Sequence, residues 1–327
     1  MTTPMGVTFG SLGVLGAPAI MDIARTAESS GYSSLWTVEA NGTDAFSLLG
    51  SVAAVAPELD LATGIIPAQI RSPSLTAMTA STLQALAPTR NIWLGIGVSA
   101  PGILQQHGHT ATKRPIAMMR EYVALLRECM SGESVTFEGD FWSVKRFRLG
   151  MRIGERKPKI VMAALNPQML KLAGEIADGV LLNYLPASHV ASSIAQIRRG
   201  GDAKIFAYVH AAVSDFEQSA NSARKDLFNY AMADSYANMF RQAGFANEID
   251  ALRACHQNRD REGALAAISE RMIQAIDFIG NSDEVTQFVS DYVAAGIEYP
   301  VLMPMPWGED RAAVTKATMS AAIEAVV

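Results

Sequence analysis

The chain has 327 residues, of which 49% are apolar and 18% charged, with a formal net charge of −5. This composition excludes a disordered, collagenous or coiled-coil protein, and the length allows a core that needs no disulfide or metal staple. The acidic balance is the wrong sign for sequence-independent binding to a phosphate backbone, so no nucleic-acid partner is expected.

Short apolar, β-rich runs alternate with segments of helical spacing, the rhythm of βα units around a parallel sheet. Residues 6–10 predict a first strand. A helix follows from about Pro18 to Ser30, opened by a proline that loses no hydrogen bond in a first turn and stopped by Gly31. Residues 33–38 predict strand two, 59–65 strand three, 75–86 its helix, 91–97 strand four and 114–130 a long helix. Residues 135–150 break the rhythm with two alternating runs about Gly139 and Asp140, a small hairpin. Residues 159–163, 180–183 and 205–213 continue as strands five to seven, with a helix at 165–174 between the first two. Residues 215–276 read as almost wholly helical, and a helix at 283–295 precedes a last strand at 300–303 and a C-terminal helix from Glu309.

Eight strands with their helices predict an α/β protein, a (β/α)8 TIM barrel with a hairpin excursion after helix four and a helical insertion between strands seven and eight. A doubly wound open sheet is the competing arrangement. No linker or repeat divides the chain, so residues 1–327 are read as one domain with insertions at about 131–158 and 215–280. In a barrel, chemistry belongs at the C-terminal ends of the strands.

Cys129 and Cys255 lie far apart and form no CxxC pair, which suits a reducing cytoplasm. The first residues carry no basic targeting region, and no run approaches the roughly 20 apolar residues of a membrane span. A mature intracellular chain without a membrane partner is expected.

At the end of strand two, Asp44 reads as the N-cap of the next helix, whereas Glu39 has no capping role and is either a pocket acid or half of a salt bridge. Beyond strand three, Arg71 is either a partner for an anionic ligand or a solvated loop charge. Strand four ends in Gly95, Gly97 and Ala100, formally the GxGxxG/A spacing, yet the next convincing helix begins more than ten residues later. The glycines therefore serve close packing, or a flat wall for an aromatic ring, and not a Rossmann phosphate site. His107 and His109 lack a further ligand in register, so no metal site is predicted. Asn166 and Pro167 open a helix that is either simply capped or able to hold a phosphate. His210 lies inside strand seven and faces either the mouth or the outside; Trp36 and Trp93 read as core; Trp307 is the aromatic a ligand can reach. No nucleophile triad can be assembled.

Taken in order, residues 27–36, Thr63 to Pro67 with Arg71 to Pro73, residues 94–97 and residues 172–179 resemble the bacterial luciferase-like oxidoreductase family over nearly the whole chain. Within it, Val38 to Phe46, Arg71 to Pro73, His107 with Gly108, Ala163 to Pro167 and Leu182 with Asn183 resemble the branch that uses the deazaflavin coenzyme F420. The resemblance implies a TIM barrel with a flavin or deazaflavin across its mouth and a non-prolyl cis peptide at the place of Gly64 and Ile65, bulging behind the central ring. It assigns Gly64, Ile65, Gly97, Val98 and Ser99 to the ring and Ala164, Leu165 and Asn166 to the tail phosphate; Asn41, Arg71 and Trp307 are the substrate-pocket candidates. His107 is placed over the pocket as a catalytic candidate.

Two departures matter. Many members end strand two with a His or an Asp-His pair, whereas here the stretch is Glu39, Ala40 and Asn41, which makes Glu39 the substitute proton carrier. The usual Ser-Gly-Gly-Arg before strand four is Ala87, Pro88, Thr89 and Arg90. The implied function is hydride transfer between F420 and a small organic substrate. The alternatives are an FMN-dependent monooxygenase supplied with reduced FMN by a separate reductase, and a non-catalytic flavin-binding relative. Family habit implies a homodimer.

Overall fold

Among the described residues of the computed structural model eleven strands form: β1 Gly6–Thr8, β2 Ser34–Thr37, β3 Asp60–Pro67, β4 Ile92–Gly97, β5 Val135–Glu138, β6 Ser143–Phe147, β7 Lys159–Ala163, β8 Gly179–Leu182, β9 Lys204–Val213, β10 Asp277–Gly280 and β11 Tyr299–Pro304. The structure describes residues 3–152 and 154–326. Met1, Thr2, Ile153 and Val327, which fall in the N-terminal stretch, the first excursion and the end of the chain as read above, lie outside the described residues. Strands β1, β2, β3, β4, β7, β8, β9 and β11 pair in parallel in that order, and β11 returns to β1, closing the expected (β/α)8 barrel. Strands β5 and β6 form a separate antiparallel hairpin.

Strand periodicity of two sorts the side chains into two cores. On β9, Phe206, Tyr208 and Ala212 join Trp36, Trp93, Val161, Leu181 and Val301 inside the barrel, while Ile205, Ala207, Val209 and Ala211 face the surrounding helices. The interior is packed with aromatic rings: Phe206 lies 5.4 Å from Trp36, 5.0 Å from Trp93 and 5.0 Å from Tyr299 between centroids. Aromatic pairs at these separations, tilted or edge-to-face, add to plain burial. Trp36 fits because β1 presents Gly6 beside it; a Cβ there would lie 2.8 Å from Trp36 Nε1. The reading of Trp36 and Trp93 as core residues holds.

Three short elements differ from the sequence reading. A six-residue helix, Pro101–Gln106, starts directly after β4 where a loop was expected. It has Pro in its first turn and is too short to display a period. A helix at Ala187–Arg198 follows β8. Most consequential, the insertion helices between β9 and β10 end at Ile276, and Asp277–Gly280 forms β10. β8 pairs with β9 only as far as Leu182 and Ala207; β10 takes up the same edge further on, with Asp277 in register with His210. A four-residue run opening with a charged residue carries almost no strand signal. No helix among the described residues is long and apolar enough to cross a membrane.

Candidate active site

A cavity of about 490 Å³ opens at the C-terminal ends of the strands, where the barrel reading places chemistry. Its lining includes Glu39, Gly64, Ile65, Val98, Ser99 and Trp307 from the sequence-predicted set. Asn183, Tyr184, Tyr208, Asp226, Tyr230 and Tyr236 complete a second, polar wall.

The first wall is largely apolar and backbone. The register of β3 against β4 shifts between Thr63 and Ile66, and the Gly64–Ile65 peptide is cis, at the place the resemblance implies. Tyr208 Oη donates to the Gly64 carbonyl at 2.7 Å. β3 and β9 are four strands apart in either direction around the eight, so this bond spans the barrel. Gly95 lets β3 come close: a Cβ on it would lie 1.8 Å from the Thr63 oxygen, and Thr63 Oγ1 donates to Gly95 O at 2.8 Å. Gly97 sits just behind Ile65, where a Cβ would meet Ile65 Cγ1 at 3.3 Å. Val98 is 39% exposed, an apolar side chain left open at the mouth.

Glu39 is held from behind by Arg71. The guanidinium Nε donates to Glu39 Oε2 at 2.8 Å and Oε1 at 3.1 Å, and Nη2 donates to Oε1 at 2.9 Å. The same Nη2 reaches Asp44, which also caps the helix Ala45–Val55 by accepting from Ser47 N at 2.7 Å. Phe46 lies under the guanidinium, with its ring centroid 5.0 Å from Cζ. Both alternatives read for Glu39 are therefore present at once: it lines the pocket and it is salt-bridged. Arg71 stands behind Glu39 and is not among the residues lining the cavity.

The rim is stitched by the remaining candidates. His107 Nε2 donates to the Ala40 carbonyl at 2.6 Å and Asn41 Nδ2 donates to Gln106 Oε1 at 2.8 Å, joining the loops after β2 and β4. Both side chains are exposed and neither lines the cavity. Ala164 is buried, and Asn166 Nδ2 donates across to Ser235 O at 3.0 Å, so the corner after β7 lies outside the cavity and against the insertion.

The polar wall is what sequence reasoning missed, apart from an undecided His210 and an Asn183 noted only within a family motif. His210 follows Phe206 and Tyr208 on the inward face of β9 and is 1% exposed. Its Nε2 faces Asn183 Oδ1 at 2.9 Å and its Nδ1 faces Asp277 Oδ1 at 3.1 Å. Asp226, on the helix Phe216–Ala231, has a carboxylate oxygen within 4.8 Å of Asp277 and accepts from Tyr184 Oη at 2.6 Å. Tyr184 packs at 3.8 Å from Tyr230 and at 4.0 Å from His210 between centroids. Burial pushes Asp226 up to about 7 and Asp277 up to about 8, and holds His210 down to about 4. The signals were faint: Asp226 and Tyr230 share a helix face at i and i+4, and Asp277 heads a short apolar run.

The family model for luciferase-like monooxygenases matches residues 8–299. The 5,10-methylenetetrahydromethanopterin reductase of Archaeoglobus fulgidus is 27% identical over 304 residues, covering 88% of this chain and 89% of that protein. Solved structures of like fold include the coenzyme F420-dependent tetrahydromethanopterin reductase from Methanopyrus kandleri, with a TM-score of 0.78, 18% identity and 100% coverage of both chains. An F420-dependent secondary alcohol dehydrogenase in complex with an F420–acetone adduct superposes with a TM-score of 0.77 at 18% identity, over 100% of this chain and 98% of the other. At such identities the structural likeness speaks for the fold.

Proposed function

The chain belongs to the luciferase-like monooxygenase family, and on that premise we propose that it is an F420-dependent oxidoreductase moving a hydride between the deazaflavin and a small organic substrate. The observation that carries this reading is the pairing of two unlike walls in one cavity. Gly64, Ile65, Val98 and Ser99 offer backbone and apolar surface, while Tyr184, Asp226, Tyr230 and Tyr236 offer groups that can hold or pass a proton. The names of two structural neighbours, each called F420-dependent, support the choice of F420.

A planar cofactor ring would lie against the first wall, where Gly64, Ile65, Val98 and Ser99 line the cavity and the apolar Val98 is left exposed. When bound, the deazaflavin supplies or takes the hydride. The residues of this chain orient the two reactants, keep water out and manage the accompanying proton. Glu39 is one proton carrier the walls provide; its three hydrogen bonds from Arg71 leave a lone pair on Oε2 to take a proton. Trp307 closes the substrate side, His107 and Asn41 fix the rim, and a tail phosphate would meet Ala164, Leu165 and Asn166 beyond it. A second copy of the chain is the expected partner, and free Cys129 and Cys255 suit the cytoplasm.

The test is turnover. Reduced F420 with ketones, imines and activated alkenes, and oxidised F420 with alcohols, should change the F420 absorbance without oxygen uptake. Oxygen uptake with reduced FMN and a reductase instead supports the monooxygenase reading, and no turnover with either cofactor supports a non-catalytic binder.

A further inference from the structure

The inner wall holds more acid than hydride transfer by itself explains. Asn183 Nδ2 is turned to Tyr236 Oη at 3.2 Å, so its Oδ1 accepts from His210 Nε2. With hydrogen on Nε2, a neutral imidazole presents Nδ1 only as an acceptor. Nδ1 lies 3.1 Å from Asp277 Oδ1, where a bare carboxylate would set its lone pairs against that of the ring nitrogen, so a protonated Asp277 is favoured. His210 Nδ1 and both Asp277 carboxylate oxygens are buried without a hydrogen-bond partner of proper geometry, even from each other. Asp226 adds a second carboxyl beside the first, with acidic and imidazole ligand atoms of all three residues within 4.8 Å of one another. Two bare carboxylates this close, in a place where Asp277 is 0% exposed, would repel each other without water to screen them.

The other titratable groups packed here are phenols. Tyr208 comes from β9, Tyr184 from the loop after β8, Tyr230 and Tyr236 from the insertion helices and Tyr292 from the helix Ser282–Ala294, and burial raises each of them, so their own protons stay on. His210 is the member of the group that can carry positive charge. Only Asp226 of the three clustered residues lines the cavity.

We propose that this cluster is the proton store of the pocket, with Asp226 the catalytic acid that hands a proton to substrate and His210 and Asp277 the positioning residues that refill it. The proposal rests on the hydride-transfer reading. For a carbonyl substrate, the hydride pair from the reduced deazaflavin, which is thereby oxidised, becomes the new C–H bond. The C=O π pair moves onto oxygen and takes the proton from the Asp226 carboxyl as an O–H bond. Asp226 is left as a carboxylate and recovers a proton through Asp277 and His210, and ultimately from solvent. In the reverse direction the same carboxylate accepts the alcohol proton. The raised carboxyls and lowered imidazole keep a proton in the cluster near neutral pH.

Infrared difference spectra of the cofactor-free protein across pH test the store without any turnover. The expected result is a carboxylic-acid C=O band persisting at neutral pH, reduced in Asp226→Asn and in Asp277→Asn and shifted in its pH midpoint in His210→Gln. Absence of the band in folded wild type overturns the proposal alone, as does one equivalent of zinc retained by wild type and lost in His210→Gln, which would make the cluster a metal site. With F420 and a responding ketone, Asp226→Asn should lose about 100-fold in kcat, with KM and F420 affinity nearly unchanged, and should lose one limb of the pH profile. An unchanged pH profile in Asp226→Asn that still binds F420 sinks the proposal, whereas failure of wild type to bind F420 sinks the hydride reading and the delivery step with it.

Discussion

Tyr208 and Gly64 meet across the barrel: the phenol donates to the Gly64 carbonyl at 2.7 Å, and a Cβ on Gly64 would sit 2.0 Å from that phenol oxygen. The bulge on β3 is thus matched to one residue of β9, and Gly64 is required by close approach.

Gly64→Ala should therefore destabilise the protein by about 1–3 kcal/mol through overpacking. Tyr208→Phe should cost about 1–3 kcal/mol by leaving a buried carbonyl unpaired. The double variant should be less destabilised than the sum of the two, since removing the hydroxyl relieves the worst contact. Urea unfolding of the four proteins measures the coupling, and strict additivity would contradict the match.

Arg71→Met should destabilise by about 3–5 kcal/mol, because Glu39 is left as a largely buried charge without its partner. Their side chains are only 12% and 15% exposed. Glu39→Gln added to Arg71→Met should recover part of the loss, which thermal melts can follow.

The acidic wall dictates a pH dependence of stability. Asp226 and Asp277 are raised to about 7 and about 8, and His210 is lowered to about 4. Unfolded carboxyls release their protons near pH 4 and unfolded His near pH 6.5. Below about pH 6.5 the folded state holds the two carboxyl protons and the unfolded state one imidazole proton; from there to about pH 7 the folded excess is two. Stability from this cluster therefore falls as pH rises from about 5 to about 8, by about 1.4 kcal/mol per pH unit for each excess proton, and then levels off. In the Asp226→Asn, Asp277→Asn double variant only His210 remains, and its contribution rises with pH up to about 6.5. Urea titrations at several pH values check the reversal of slope.

Much of this architecture was legible in the sequence because each barrel strand is a short apolar run followed by a helical period. Glu39 and Trp307 were read toward the cavity from their positions at strand ends, and Gly64, Ile65, Val98 and Ser99 from the family resemblance. The polar wall was not legible. Asp226 sits on a helix predicted only as insertion, and Asp277 reaches His210 through a strand of four residues whose register exists only once the barrel has closed. Long-range pairing of this kind leaves no local period to read.

The ring cradle predicts that added bulk will weaken cofactor binding before it weakens the fold. Gly97→Val places atoms against Ile65 and Ala163, whose side chains lie 3.3 Å and 3.2 Å from a Cβ at that position. A loss of at least about tenfold in F420 affinity, about 1.4 kcal/mol, is expected in fluorescence titrations.

The most direct test of the central claim is titration of the purified protein with F420 and with FMN in parallel, followed by fluorescence. Tight, saturable binding of F420 with weak or no binding of FMN is the result predicted for a hydride-transfer enzyme. Preferential binding of FMN would contradict it and turn the same cavity toward oxygen chemistry.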